Sequence, residues 1–511
     1  MSRLNRLSVA AAAAIGVASI AGTAFAATPI PPGGATTLPA YVGKPAVPHP
    51  VHVPPTPQNP FMAPNGESST HNDSWQSDAY SYAGPLGNNP VMTSNGSFSE
   101  DCISPSFDRA GRVISICSTP AKPGPTLRMF DPVTLDVIAS VDLPARPAPL
   151  SGVPTLKDTS GGVYFYIDNQ NRVVNVAPNN HVLRFKIEAN RFVQDADFDV
   201  ASHLNQQYPA TDAPRQRLVS ALPDWKGLIW FVTRYDGVVG TLDPRTGAVH
   251  TLQLGDGLEN SIENSFAIGR DGVYVATNRQ MVSLEADRQG QPVVEWASTY
   301  QNSGLSKPGQ FDDGTGTTPT ILPGGFVAIT DNSDPMNVVV YRTEKSRHQT
   351  VCEVPVFDKG ASASENSLIG AGNSLIVENN YGYDVFGFQT GAVQSKPGMT
   401  RIDIDRDKKG CHVAWTNSNE VVPSVISKLS LATGLIHTYT RKVDAAGVQG
   451  WYWTSIDFHT GKTVNSVLAG TGPQWNNHYA AIAIGPDGTE YTSGFPGGLW
   501  SIRDGSTSHQ H

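Results

Sequence analysis

Glutamate and asparagine stand side by side at Glu263-Asn264 and again at Glu365-Asn366, each a few positions ahead of a short apolar run. Asn477-His478 holds the same place ahead of a third run, and Glu100-Asp101 and Asp312-Asp313 fit the pattern more loosely. Carboxylate and amide oxygens gathered from several such places are what a hard cation requires, because calcium takes six to eight oxygen ligands in a flexible geometry. The expected ligand set for calcium, or another divalent cation, is therefore Asp101, Glu263, Asn264, Asp313, Glu365, Asn366 and Asn477. Asn and Ser ahead of a strand also satisfy turn backbone groups, a role that Glu fills less well. His478 is the candidate general acid or base, since imidazole titrates near neutral pH. Arg215 and Arg217 are candidates for holding a substrate carboxylate in bidentate fashion. The segment from His71 to Trp75 could fold across one face and add ligands.

These residues acquire a common site only if the elements that carry them converge. From about residue 95 a two-part theme recurs at roughly 50 residues, the range of propeller blades. A polar cluster, an apolar strand, a Gly or Asp turn and a second strand form one part. The other is a Thr-Gly hairpin, seen in Leu242-Asp-Pro-Arg-Thr-Gly-Ala-Val249, Leu431-Ala-Thr-Gly-Leu-Ile436 and Ile456-Asp-Phe-His-Thr-Gly-Lys-Thr-Val464. Glycine in these turns supplies positive φ, and the flanking Val, Ile, Tyr and Trp suit pleated strands. Counting polar clusters predicts an all-β propeller of about eight four-stranded blades, with seven as the alternative because the copies near 150, 215 and 420 are degenerate. In such a ring the residues just ahead of each innermost strand meet around the axis. The last copy is too short for a whole blade, so a strand from residues 73–92 is expected to complete it and remove a sheet edge.

Composition supports this and narrows the partners. Of 511 residues only 16% are charged, while 49 Gly and 39 Pro far outnumber the 36 Lys and Arg, which excludes coiled coils and long helical bundles. A net charge of −9 with scattered basic residues gives no electrostatic support for nucleic acid or an anionic membrane. A small molecule is the expected partner, acting on a protein expected to be a monomer.

Arg3 and Arg6, the apolar run from Val9 to Ala21 and Ala24-Phe25-Ala26 read as a signal peptide over residues 1–26, cleaved on export to the periplasm or beyond. The run is too short for a membrane span. Residues 27–66 are Pro-rich and nearly uncharged, and are expected to form a disordered tether ahead of a propeller domain at 67–511. In an oxidising compartment four cysteines imply disulfides, of which Cys102 with Cys117 and Cys352 with Cys411 are the preferred pairs among three pairings. No CxxCH, GxSxG or HExxH motif occurs, and Gly461-Lys462-Thr463 lacks the first glycine of a phosphate loop.

The Leu242-Asp-Pro-Arg-Thr-Gly hairpin resembles the repeat of YVTN and virginiamycin-lyase-like propellers. Trp296 and Trp415, each a few residues beyond Gly290 and Gly410, sit where the quinoprotein alcohol dehydrogenase-like superfamily places its blade-docking tryptophan. The resemblance implies a propeller over most of residues 95–505. It would also allow PQQ as cofactor, but redox-active members of that group carry a vicinal Cys-Cys pair and none is present here, which disfavours PQQ. The axial Glu, Asn and Asp resemble, by position in the blade, the metal ligands of gluconolactonase and paraoxonase-like propellers. Together these point to an exported, metal-dependent hydrolase of a small ester or lactone. A lyase, a PQQ-dependent dehydrogenase and a non-enzymatic binding platform are the alternatives.

Overall fold

The computed structural model describes residues 36–97, 99–148, 158–209, 216–255, 260–383, 395–494 and 497–505. The expected signal peptide, residues 27–35 of the expected tether, and Arg215 lie outside the described residues. Eight antiparallel sheets form the blades of one propeller, so the count of eight holds over seven. Blade 1 begins with Asp101–Cys102 and Ser106–Phe107, and blades 2 to 8 begin with Phe165–Ile167, Leu218–Pro223, Ala267–Ile268, Thr320–Leu322, Ile369–Ala371, Lys428–Ser430 and Ala483–Ile484. These first strands are buried along their length, whereas fourth strands such as Pro292–Thr299 and Cys411–Asn417 are largely exposed on one face. Continuous apolar runs therefore lie inside and alternating ones at the rim, as the hydrophobic effect demands. Blade 8 takes its outermost strand, Val91–Ser94, from the N-terminal side of the chain, which closes the ring as expected. One short helix, Val200–Gln207, interrupts the β succession and is capped by the Asp199 carboxylate.

Tryptophans lock neighbouring blades. The Trp296 indole N–H in blade 4 donates to the Thr343 carbonyl of blade 5 at 2.8 Å. In blade 6, Trp415 donates to the Phe458 carbonyl of blade 7, also at 2.8 Å. The Trp415 ring lies so close to Gly461 that a Cβ there would sit 2.4 Å from it, and Gly461 has φ +69, so only glycine fits. Cys352–Cys411 joins the outer strands of blades 5 and 6, and Cys102–Cys117 links two strands of blade 1. Both preferred pairings are thus present.

The Pro-rich segment departs from expectation. Residues 36–66 lie along the propeller rather than forming a disordered tether: Tyr41–Gly43 pairs with the outer strand of blade 7, and the His49 and Val51 N–H groups donate to the Thr433 and Leu431 carbonyls. Composition correctly denies this segment a core of its own. Its extended backbone nevertheless finds hydrogen-bonding partners on an open sheet edge, where proline is tolerated.

Residues 66–80 enter the central channel. Phe107, Ile167, Ile268, Ile321, Gly370 and Leu429, all in innermost strands, donate their N–H groups to the carbonyls of Glu67, Ser68, Ser74, Trp75, Ser77 and Asp78. Ala79–Tyr80 then adds a parallel strand to blade 7. This plug is polar and buried, so its side chains must find partners. Asp78 accepts from His71 Nδ1 at 3.1 Å, from Ser367 Oγ and from Lys428 Nζ, which also donates to the Thr70 carbonyl. Burial opposes the Asp78 charge, yet Lys428 and then His71 hold its pKa below the ordinary value. Two other acids lack a cation this close: burial pushes Asp73 up to about 7 and Glu378 up to about 8, against hydrogen bonds from Ser77 and from Ser427 and Asn366.

Two outcomes follow from the plug. Removing residues up to 60 takes away edge contacts and should lower Tm by only a few degrees, whereas removing residues up to 94 strips plug and closing strand and should yield unfolded or aggregated protein. Thermal melts and size-exclusion profiles of the two truncations check this, and equal behaviour would contradict it. Glu378 and Asp73 bind protons more tightly folded than unfolded, so their contribution is complete below about pH 4 and is lost as pH rises toward 7 and 8. Tm should therefore fall between pH 5 and 8, and Glu378→Gln should flatten that decline in a pH series of melts.

Candidate functional site

The loops ahead of the innermost strands converge on one cavity of about 560 Å³, floored in part by Thr70 of the plug. Five residues predicted for the axial site line it: Asp101, Asn264, Glu365, Asn366 and His478. Similar offsets in alternate blades, 4, 6 and 8, bring three of them together. Asn264 lies three positions ahead of its innermost strand, Asn366 three, and His478 five.

Two buried carboxyls meet behind this wall. Glu365 Oε1 accepts the Phe311 N–H at 3.1 Å, and its carboxyl faces that of Glu263. Burial first, then the charge and contact of Glu263, push the Glu365 pKa well above the ordinary value. Two carboxylates in such contact repel, which favours a proton on Glu365. Arg234, buried, stands on the far side of Glu263, with Nη2 at 3.9 Å from Glu263 Oε1 and Nη1 at 3.0 Å from Asp312. Arg234 was missed in the sequence, though a signal was present. Asn278, Asn332 and Asn380 lie two positions after the second strands of blades 4 to 6, and in blade 3 the residue one position after that strand is Arg234, an arginine where those blades carry asparagine.

His478 is held in a costly backbone conformation, φ 41, followed by Tyr479 at φ 61. Side chains at positive φ carry strain that the surroundings must offset, a feature that concentrates at functional sites. His478 Nδ1 lies 3.0 Å from the Tyr383 hydroxyl, which itself accepts from Asn476 Nδ2 at 2.8 Å. A Tyr383 proton directed at Nδ1 would place the hydrogen of the neutral ring on Nε2, whereas an Nδ1–H would donate to the Tyr383 oxygen. Burial lowers the His478 pKa to about 4, so the ring is neutral at pH 7. Tyr383 likewise escaped the sequence reading, lying beyond Asn379-Asn380 with no repeat partner. Asp101 accepts from Ser493 Oγ at 3.0 Å, and burial raises its pKa to about 7.

The remaining predicted residues are engaged elsewhere. Asn477 accepts from Ser424 Oγ and donates to the Ala480 carbonyl, each at 2.8 Å, which ties its own loop. Asp313 turns away from Glu263 and Glu365 to Asn278 Nδ2 at 2.9 Å and Arg279 at 3.4 Å, while its neighbour Asp312 faces Arg234. Arg217 binds Asp158 at 2.9 Å and the Ala148 carbonyl at 2.6 Å. Asn264 Oδ1 accepts the Tyr164 hydroxyl, and Asn366 Nδ2 donates to Glu378 and to the Val425 carbonyl. Among the described residues the seven expected oxygen ligands thus turn to different partners, and only Glu263 and Glu365 face each other.

No family model matches the chain. An uncharacterized protein of Archaeoglobus fulgidus is 27% identical over 321 residues, 56% of this chain and 60% of that protein, so the match spans less than two thirds of the relative's length. Among solved structures, the quinohemoprotein alcohol dehydrogenase ADHIIG from Pseudomonas putida HK5 has a TM-score of 0.50 at 9% identity, covering 88% of this chain and 81% of that one. Virginiamycin B lyase from Staphylococcus aureus has a TM-score of 0.39 at 9% identity, covering 68% and 96% respectively. The dehydrogenase likeness, at this identity, is one of fold: the chain is an eight-bladed β-propeller.

Proposed function

We propose that the axial cavity binds a small ester or lactone and hydrolyses it. One arrangement carries this reading: Glu365, whose carboxyl faces that of Glu263, and His478, whose pKa burial lowers to about 4, line a single cavity. The carboxyl pair can take a proton from water as its oxygen attacks the carbonyl carbon, and give a proton to the leaving oxygen as the acyl–oxygen bond breaks. It returns to the one-proton state, so the step balances without a co-reactant. His478 Nε2–H donates to the oxyanion in this scheme. A neutral imidazole with a depressed pKa is a suitable donor because it keeps its proton where a charged one would lose it.

A divalent cation at the same place is a second reading, with an observation of its own. Glu365 Oε2 and Asn366 Oδ1 are buried and accept no hydrogen bond among the described residues. Glu263, Glu365 and Asn366 would hold the cation, which would polarise a bound carbonyl oxygen. Export belongs to the proposal as well. Both disulfides, and the absence of any described helix long and apolar enough to cross a membrane, accord with it.

An ester and lactone panel, run with and without chelator, tests the reaction. Glu365→Gln should lower kcat by at least about 100-fold while KM stays within a few fold, and His478→Ala should lose about 100- to 1000-fold, the usual cost of one oxyanion donor. Wild-type protein that turns over no member of the panel would leave the binding-platform alternative ahead. Proton and cation compete for one position, so calcium affinity measured by calorimetry should be stronger at pH 8 than at pH 6, and Glu263→Gln with Glu365→Gln should abolish it. Affinity independent of pH, or retained in the double variant, would remove the cation from this site.

A further inference from the structure

One side of the cavity carries a positive charge that the protein leaves for a ligand to answer. Arg146, at the cavity wall, donates to the Ser160 carbonyl and makes no salt bridge among the described residues. The nearest acid is already committed: Asp158 accepts from Ser160 N–H at 3.0 Å, from Ser160 Oγ at 2.6 Å and from Arg217 Nη1 at 2.9 Å. The other cation of the lining, Lys122, is paired with exposed Asp142. Across the cavity stand Asp101, Glu365 and His478. Ile103, Pro123, Pro125, Val163, Phe311 and Ile426 make the space between them apolar.

We propose that the ligand of this cavity is a monocarboxylate with an apolar body, its carboxylate seated on Arg146 and its reacting or hydrogen-bonding end at Glu365 and His478. This rests on the axial cavity being the substrate site put forward above, and it moves the anion-binding role from Arg217, whose guanidinium is spent on Asp158, to Arg146. A guanidinium gives a carboxylate two parallel charge-assisted hydrogen bonds, stronger and more directional than neutral ones. Burial acts first against the Arg146 charge, Asp158 supports it and Arg217 opposes it, and the guanidinium pKa stays below its ordinary value, so an incoming anion relieves a cost that Asp158 does not cancel. An uncharged ligand of the same shape would fill the apolar space and leave that cost in place.

Calorimetric binding of hexanoate and of hexanamide tests this without any turnover. Wild type should bind hexanoate at least about 10-fold more tightly than hexanamide. Arg146→Gln should bring the two affinities within threefold, Arg146→Lys should keep part of the preference, and Lys122→Gln should keep all of it. A wild-type preference below threefold, or one that survives in folded Arg146→Gln, overturns the assignment. The wild-type comparison decides alone if Arg146→Gln fails to fold. A full preference for hexanoate in a protein inactive on every ester and lactone would keep the anion site and discard the hydrolysis, which separates the two failures.

Discussion

Eight innermost strands facing one channel present backbone N–H and C=O groups that no neighbouring strand can satisfy. A buried amide left without a partner costs more than its hydrogen bond would have contributed, so the channel must either fill with water or be filled by chain. Here residues 66–80 fill it, accepting amides from six of the eight blades. The plug is polar for the same reason. Ser, Asn, Asp and His can turn their side chains to whichever backbone or side-chain group the next blade offers, and the buried charge of Asp78 is met by Lys428 from blade 7.

The cavity above the plug inherits its electrostatics from that closure. The loops ahead of the innermost strands line a cavity that Thr70 of the plug also lines, and burial there lets carboxyls keep protons and imidazole lose them. Glu365, Asp101 and His478 all move in the direction that burial dictates. The protein therefore presents neutral donors on one side and the charge of Arg146 on the other, an arrangement suited to orienting an amphipathic acid in a single direction. Strain at His478 and Tyr479 is borne by Tyr383 and Asn476, which hold the loop through hydrogen bonds to side-chain and backbone atoms.

Much of the fold was legible because repetition is a strong signal. The Thr-Gly hairpins and the Glu-Asn pairs recur at blade spacing, and Trp296 and Trp415 announced the blade contacts they make. The site was legible only where repetition reached it: Glu263 and Glu365 were found, and they do meet. Asp312 and Asp313 were inseparable because adjacent residues of one type differ only in which way the backbone turns them, and it turns Asp312 to Arg234 and Asp313 to Arg279. Arg217 looked available because a sequence does not show Asp158 arriving beside it. The Pro-rich segment looked unstructured because composition reports what a segment can bury itself, not what edge it can lie against. Of the plug only His71 to Trp75 was legible, as a segment folding across one face, because its partners are backbone groups of distant strands, which carry no residue type.

The most direct test is native-state hydrogen exchange at the amides of Ile268, Ile321, Gly370 and Leu429. If the plug seals the channel, these four exchange only through global unfolding, as slowly as amides in the middle strands of their blades. Exchange at rates typical of solvent-facing edge strands, in protein whose blade interiors stay protected, would mean that the channel is open and that the plug-lined cavity on which the account depends does not exist.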